Sequence, residues 1–347
     1  MSARLTRRAL ATATLVASLT ALTGCTSSVT TGSSDPSADS SDEANAKVTV
    51  GLTYIPNVQF APTYLAEDNG YFKDHGLDVT IRHHGADEGL FTQLLAGEEN
   101  LVVATGDEMI QARAQGMDLV SVGQYYASYP VVVIVKEDSP VKSIADLKGL
   151  RVGLPGEFGS NWFGLLAALQ DAGMKREDVQ IKAIGYTQMA ALQSDQVDAI
   201  VGFTNNDSVQ LRQIGMKIRE IPLTVSGQVP LVGATIVTTG EYARTHGEQV
   251  RQTLAAIGEG MQAFVDDLDA AVTATQKRDP GLSDDKARQN AKATAEATAK
   301  LLAPSGKVDM TQDEKLWEQM ESFLSSIPGL MGAEVSLPET VTNEYLK

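Results

Sequence analysis

Aromatic rings beside neutral hydrogen-bonding side chains recur at three places in the chain. The first, residues 52–65, reads LTYIPNVQFAPTYL and carries Tyr54, Asn57 and Gln59 with no charged residue. The second, PGEFGSNW at 155–162, offers Phe158, Ser160, Asn161 and Trp162. The third, at 202–207, offers Phe203, Asn205 and Asn206. Such sets suit a flat, polar, neutral ring. Each stacked pair is worth roughly 0.5–1.5 kcal/mol beyond burial, and amides match an edge of mixed donors and acceptors. Tyr125 and Tyr126 add two more rings. Plainer uses exist for each residue: Ser160 or Asn161 can cap a helix, Gly156 and Gly159 can form turns, and Trp162 can pack into a core.

Groups able to do catalysis are sparse. His83 and His84 are adjacent on a predicted strand, so they point to opposite faces and do not easily share a metal. Their expected place is a strand end facing solvent. Asp87-Glu88 is a carboxylate pair whose charge suits the start of the following helix, and Glu88 is kept among the candidate ligand contacts. The glycine-rich run 153–159 lacks the lysine of a phosphate-binding loop, and no Gly-x-Ser-x-Gly elbow occurs. No catalytic residue, cofactor or metal is expected.

The three loops need strands to end on them. Short aliphatic runs alternate with helical stretches from 48 to 122, which predicts a parallel α/β sheet, and a second alternation follows from 131 to 221. Helices are expected at 64–72 and 88–96. A β-like run at 229–238 returns to the first unit, and long helices follow at 241–276, 283–302 and 311–326. Two α/β units with a cleft between them result, and open α/β sheets bind ligands beyond the C-terminal ends of their strands. The expected division is a leader at 1–25, a linker at 26–47, one lobe made of 48–135 and 233–347, and the other lobe of 136–232.

The N-terminus reads as an export signal: Arg4, Arg7 and Arg8, then a short apolar run from 9 to 22. Leu22-Thr23-Gly24-Cys25 resembles the bacterial lipobox, which would make Cys25 the acylated first residue. It is the chain's only cysteine, so no disulfide is expected. The Ser/Thr/Asp-rich stretch 26–47 cannot bury enough apolar surface to fold and reads as a tether. Net charge is −16, and loss of the three signal arginines takes it to −19. Nucleic acid is excluded as a partner, because it requires a basic face.

Distributed residues resemble one known family. Pro56-Asn57, Ala61-Pro62, Tyr64, Ala66, Gly70-Tyr71-Phe72, Gly76-Leu77-Asp78-Val79, Gly106-Asp107 and Ile144-Ala145-Asp146-Leu147-Lys148-Gly149 are similar to the ABC-importer substrate-binding proteins. The branch is that of thiamine-pyrimidine, riboflavin, sulfonate, taurine and nitrate binders. The resemblance implies a two-lobed venus-flytrap fold of type II, monomeric, passing a small-molecule ligand to a membrane permease and its ATPase. The same broad family includes eukaryotic pyrimidine synthases that use a cysteine-rich motif, absent here. Gly-x-Phe-Gly-Ser-x-Trp-x-Gly at 156–164, by its likeness to the riboflavin-binding members, puts a flavin first and a thiamine-precursor pyrimidine second. Sulfonates and nitrate come third, since an anion needs a cation or helix N-terminus and the loops offer no basic residue.

Overall fold

The computed structural model describes residues 45–85, 88–225 and 227–347. The expected signal segment, Cys25, nearly all of the tether and Asp87 lie outside the described residues. The end of the expected tether is already sheet, because β1 spans Ala46–Leu52.

The first unit continues with α1 (Ala61–Asp68), α2 (Tyr71–Asp74), β2 (Leu77–His83), α3 (Thr92–Leu95), β3 (Leu101–Thr105), α4 (Gly106–Ala114) and β4 (Leu119–Gln124). The second unit holds β5 (Val131–Lys136), β6 (Arg151–Leu154), α5 (Gly159–Asp171), β7 (Gln180–Ala183), α6 (Gln188–Gln193), β8 (Ala199–Phe203), α7 (Asp207–Gln213) and β9 (Ile218–Ile221). The chain then returns with β10 (Ala234–Thr239), α8 (Gly240–Thr245), α9 (Gly247–Asp266), α10 (Leu268–Gln276), α11 (Asp285–Leu302) and α12 (Glu314–Ser325).

Among the described residues two five-stranded sheets form, in the orders β2-β1-β3-β10-β4 and β7-β6-β8-β5-β9. Neither is purely parallel, contrary to the expectation from alternation. β10 runs antiparallel to β3 and β4, and β5 antiparallel to β8 and β9. The cause is the path between units. β4 and β9 run in the direction of their sheets' parallel strands, so the chain leaves each unit at the loop end. The next strand enters the other sheet from that same end and must run backwards. β5 therefore belongs wholly to the second sheet, which moves the first crossing to residues 125–130 from the expected boundary at 135.

Several expected helices are cut shorter. Gly70, at φ 83°, separates α1 from α2. The expected helix 241–276 is three. His246 leaves helical geometry between α8 and α9, and Asp267 (φ −142°) accepts from the N–H groups of Asp269 and Ala270 to restart the chain as α10. Only α3 forms within the expected helix 88–96.

Three apolar clusters hold the fold. One joins the two sheets, from Val102, Ala104 and Val237 to Val131, Val152 and Val201, with Trp317, Met320 and Phe323 of α12 in the same cluster. A second packs β1 and β3 against α1, α9, α10 and α11, and a third packs α6 and α7 on the second sheet. Among the described residues no helix is long and apolar enough to cross a membrane.

Candidate ligand-binding site

β3 stops at Thr105 and α4 starts at once with Gly106, Asp107 and Glu108, so two carboxylates occupy its first turn, where the helix dipole favours them. Opposite them, α5 starts at Gly159, whose φ of 66° suits glycine. The buried Asp107 joins the two lobes. Its Oδ2 accepts from the Tyr129 hydroxyl at 2.7 Å, and its Oδ1 accepts from the Ser160 hydroxyl at 3.0 Å and the Glu108 N–H at 2.7 Å. The Tyr129 oxygen also lies 2.8 Å from the Ser160 carbonyl. Glu108 accepts from the Thr105 hydroxyl at 2.5 Å, and its Oε1 would stand 3.2 Å from a Cβ placed on Gly159.

Burial pushes both carboxyls up. Glu108 is raised to about 7, with the charge of Asp107 as the second cause. The folded chain therefore keeps the Glu108 proton to a higher pH than the unfolded chain does. Its stabilising effect is complete below 4.5, the ordinary value, and is lost as pH rises to about 7. At one unit per 1.36 kcal/mol the loss is at most about 3 kcal/mol. Denaturant titrations across this window should show that decline, and Glu108→Gln should flatten it; an equal slope in the variant would locate the titration elsewhere.

The opening loop divides its rings as follows. Tyr54 stands 52% exposed after β1. Its carbonyl lies 2.8 Å from His83 Nδ1, while His83 Nε2 lies 3.0 Å from the Tyr64 hydroxyl. Burial holds His83 below its usual range, which keeps the ring neutral, donating at one nitrogen and accepting at the other. Asn57 caps the short 3-10 turn at Val58–Phe60 by accepting from the Gln59 N–H. The Gln59 carbonyl accepts from Tyr125, itself buried with its hydroxyl turned to this loop. Phe60 and Tyr64 are core residues.

On the second lobe, Phe158 is 56% exposed, folded over Gly156, where any Cβ would strike the ring. Asn161 donates to the Val201 carbonyl at 2.8 Å and pins α5 to β8. Trp162 lies on the first turn of α5. It is buried in the shared core and lines a groove with Met174, Arg176, Phe323 and Ile327, so packing accounts for it. Phe203 is half-buried at the end of β8. Asn205 donates to the Tyr126 hydroxyl and to Thr298 of α11, leaving its buried Oδ1 without a partner. The exposed Asn206 accepts from Gln210.

Two expectations at the β2 end are corrected. His84 is buried rather than solvent-facing, with Nε2 at 2.9 Å and 3.1 Å from the Glu99 oxygens. His83 is half-buried, as described. Glu88 does not start a helix. It pairs with Arg82 at 2.6 Å, and Arg82 in turn reaches Glu99 at 2.7 Å.

Sequence reasoning passed over Asp107, Glu108 and Tyr129. The available signal was Gly106-Asp107-Glu108 directly after an aliphatic strand, the same strand-to-helix pattern that marked the other loops. The site is therefore not free of charge; it holds two carboxylates with no ion-pair partner among the described residues.

Residues 57–271 match the family model described as NMT1/THI5 like. The riboflavin-binding protein RibY of Chloroflexus aurantiacus is 29% identical over 309 residues, 86% of each chain. The formylaminopyrimidine-binding protein of Halalkalibacterium halodurans is 28% identical over 234 residues, 67% of this chain and 71% of that protein. Among solved structures, the periplasmic aliphatic sulphonate binding protein SsuA of Escherichia coli aligns with a TM-score of 0.69 at 21% identity, covering 87% of this chain and 99% of that one.

Proposed function

Because the chain belongs to the NMT1/THI5-like family and has the two-lobed α/β fold of periplasmic binding proteins, we propose that it is the exported solute-binding component of an ABC importer, taking a neutral flat heterocycle, a flavin first. The observation that carries this reading is a pair of unspent rings. Tyr54 and Phe158 stand about half exposed on loops of opposite lobes, and neither serves a core. An exposed ring at a strand end is a face for stacking. The similarity to RibY over most of both chains supports a flavin, and the similarity to a formylaminopyrimidine-binding protein supports a pyrimidine as second choice.

The remaining parts of the reading fit this role. A lipid on Cys25 would hold the protein near a permease and its ATPase and raise its effective concentration there. The protein acts as a monomeric carrier rather than an enzyme, closing on its ligand to the extent that contacts differ between open and closed states.

Titration of riboflavin with the purified protein is the test. Stacking is expected to quench flavin fluorescence and to raise the melting temperature, and the ligand should be recovered unchanged. A thermal shift with an aminopyrimidine or a sulfonate, and none with riboflavin, would overturn the flavin assignment. Chemical conversion of the recovered ligand would overturn the carrier assignment.

A further inference from the structure

We propose that Glu108 sets the charge of the ligand: its carboxylate stands at the start of α5, where an acidic group would be received, and turns a free acceptor toward the N–H edge of a heterocycle. This rests on the heterocycle reading above and names the residue that enforces it.

The N-terminus of a helix is a natural seat for an anion, because its first N–H groups lack partners and the dipole is positive there. α5 has thirteen residues and begins where the lobes meet. In this chain the approach to its first residue, Gly159, is taken by Glu108 Oε1 from the opposite lobe. The two carboxylates of α4 differ in what they have left to offer. Asp107 is spent on Tyr129, Ser160 and a backbone N–H. Glu108 has one oxygen on Thr105, and Oε1 accepts no hydrogen bond from any described residue.

The groups facing Glu108 are Asp107 on its own helix, Thr105 from β3, Tyr129 from the crossing segment and the start of α5; none is cationic. A sulfonate entering here would meet an uncompensated carboxylate in a medium of reduced dielectric, which is repulsive. A ring N–H or exocyclic amine would instead meet a ready acceptor, and a hydrogen bond to a charged group is the stronger kind. The raised proton affinity of Glu108 adds a means of reading the residue in the unaltered protein. Below about 7 the group takes up a proton, and the repulsion fades.

The test is calorimetric titration of riboflavin and of ethanesulfonate into the wild-type protein and Glu108→Gln at pH 8, and into the wild-type protein at pH 5.5. The wild type is expected to bind riboflavin and reject ethanesulfonate at pH 8. Glu108→Gln should weaken riboflavin on the order of tenfold and strengthen ethanesulfonate by at least about tenfold. Acidification of the wild type should strengthen ethanesulfonate in the same direction, an arm that survives if the variant fails to fold. Riboflavin binding within twofold of wild type in Glu108→Gln, together with ethanesulfonate rejection by the variant at pH 8 and by the wild type at both pH values, overturns the role of Glu108 and leaves the flavin reading intact. Ethanesulfonate binding by the wild type at pH 8, without riboflavin binding, overturns the heterocycle reading and this proposal with it.

Discussion

Glu99→Ala is expected to lower the unfolding free energy by about 3–5 kcal/mol, the range for removing one partner from a buried ion pair. The Glu99 side chain is fully buried, and it receives Arg82 at 2.7 Å and His84 at 2.9 Å. Its carboxylate is packed so closely on Gly51 of β1 that a Cβ there would lie 2.5 Å away. Removal leaves His84, 3% exposed and already without a partner at Nδ1, with no hydrogen bond at either nitrogen. Desolvation of a polar group that ends up unpaired is the largest part of the cost. Urea titration of wild type, Glu99→Ala and Glu99→Gln at pH 7 checks this. The glutamine keeps the shape and one acceptor, so its loss should be clearly the smaller. Equal midpoints for wild type and alanine would show that the cluster carries no net stability.

Asp107→Ala is expected to cost about 3 kcal/mol and to reduce riboflavin affinity on the order of tenfold. The stability loss follows from leaving the buried Ser160 hydroxyl without its acceptor and the Tyr129 hydroxyl with the Ser160 carbonyl alone. The affinity loss follows from geometry: Asp107 binds α4 of one lobe to α5 of the other, so the population of closed molecules falls without it. Asp107→Asn separates the two effects. Its amide oxygen can still accept from one hydroxyl, while its NH2 opposes the other, so intermediate values are expected in both measurements. Full retention of riboflavin affinity in Asp107→Ala, at a protein concentration and temperature where it stays folded, would detach this contact from closure.

Much of the architecture is written locally. Among the described residues ten strands of four to seven residues form, and the near-continuous aliphatic ones, such as β3 and β5, are buried on both faces as a sheet interior requires. The direction of β5 and β10 is not local. Residues 131–135 spell a strand whichever sheet they enter, and only pairing with β8 and β9 decides it. The site follows the same division. Tyr54 and Phe158 stand exposed on loops after strands, whereas Phe60 and Trp162, rings from the same two stretches, enter the core, a division that local sequence does not mark. Asp107 was not legible, because its meaning lies in Ser160, fifty-three residues away, and in Tyr129, twenty-two away. The burial of His84 was not legible for a related reason, and for Trp162 the sequence left core and ligand contact both open. Alternation along a strand gives the face of a side chain, but the partner that covers that face, Glu99 or the segment after α12, comes from elsewhere.

The apolar cluster that runs from β3 through Trp317 and Met320 to β5 and β8 bears on how the molecule can be taken apart. Two sheets suggest two modules, yet the side chains that fill the inner face of each are supplied in part by the other and by α12. A lobe excised for grafting onto another binder would present that inner face to water. Recombination within the family must therefore exchange both sheets and α12 together, and variation is cheapest at the loop tips carrying Tyr54 and Phe158, which no core depends on.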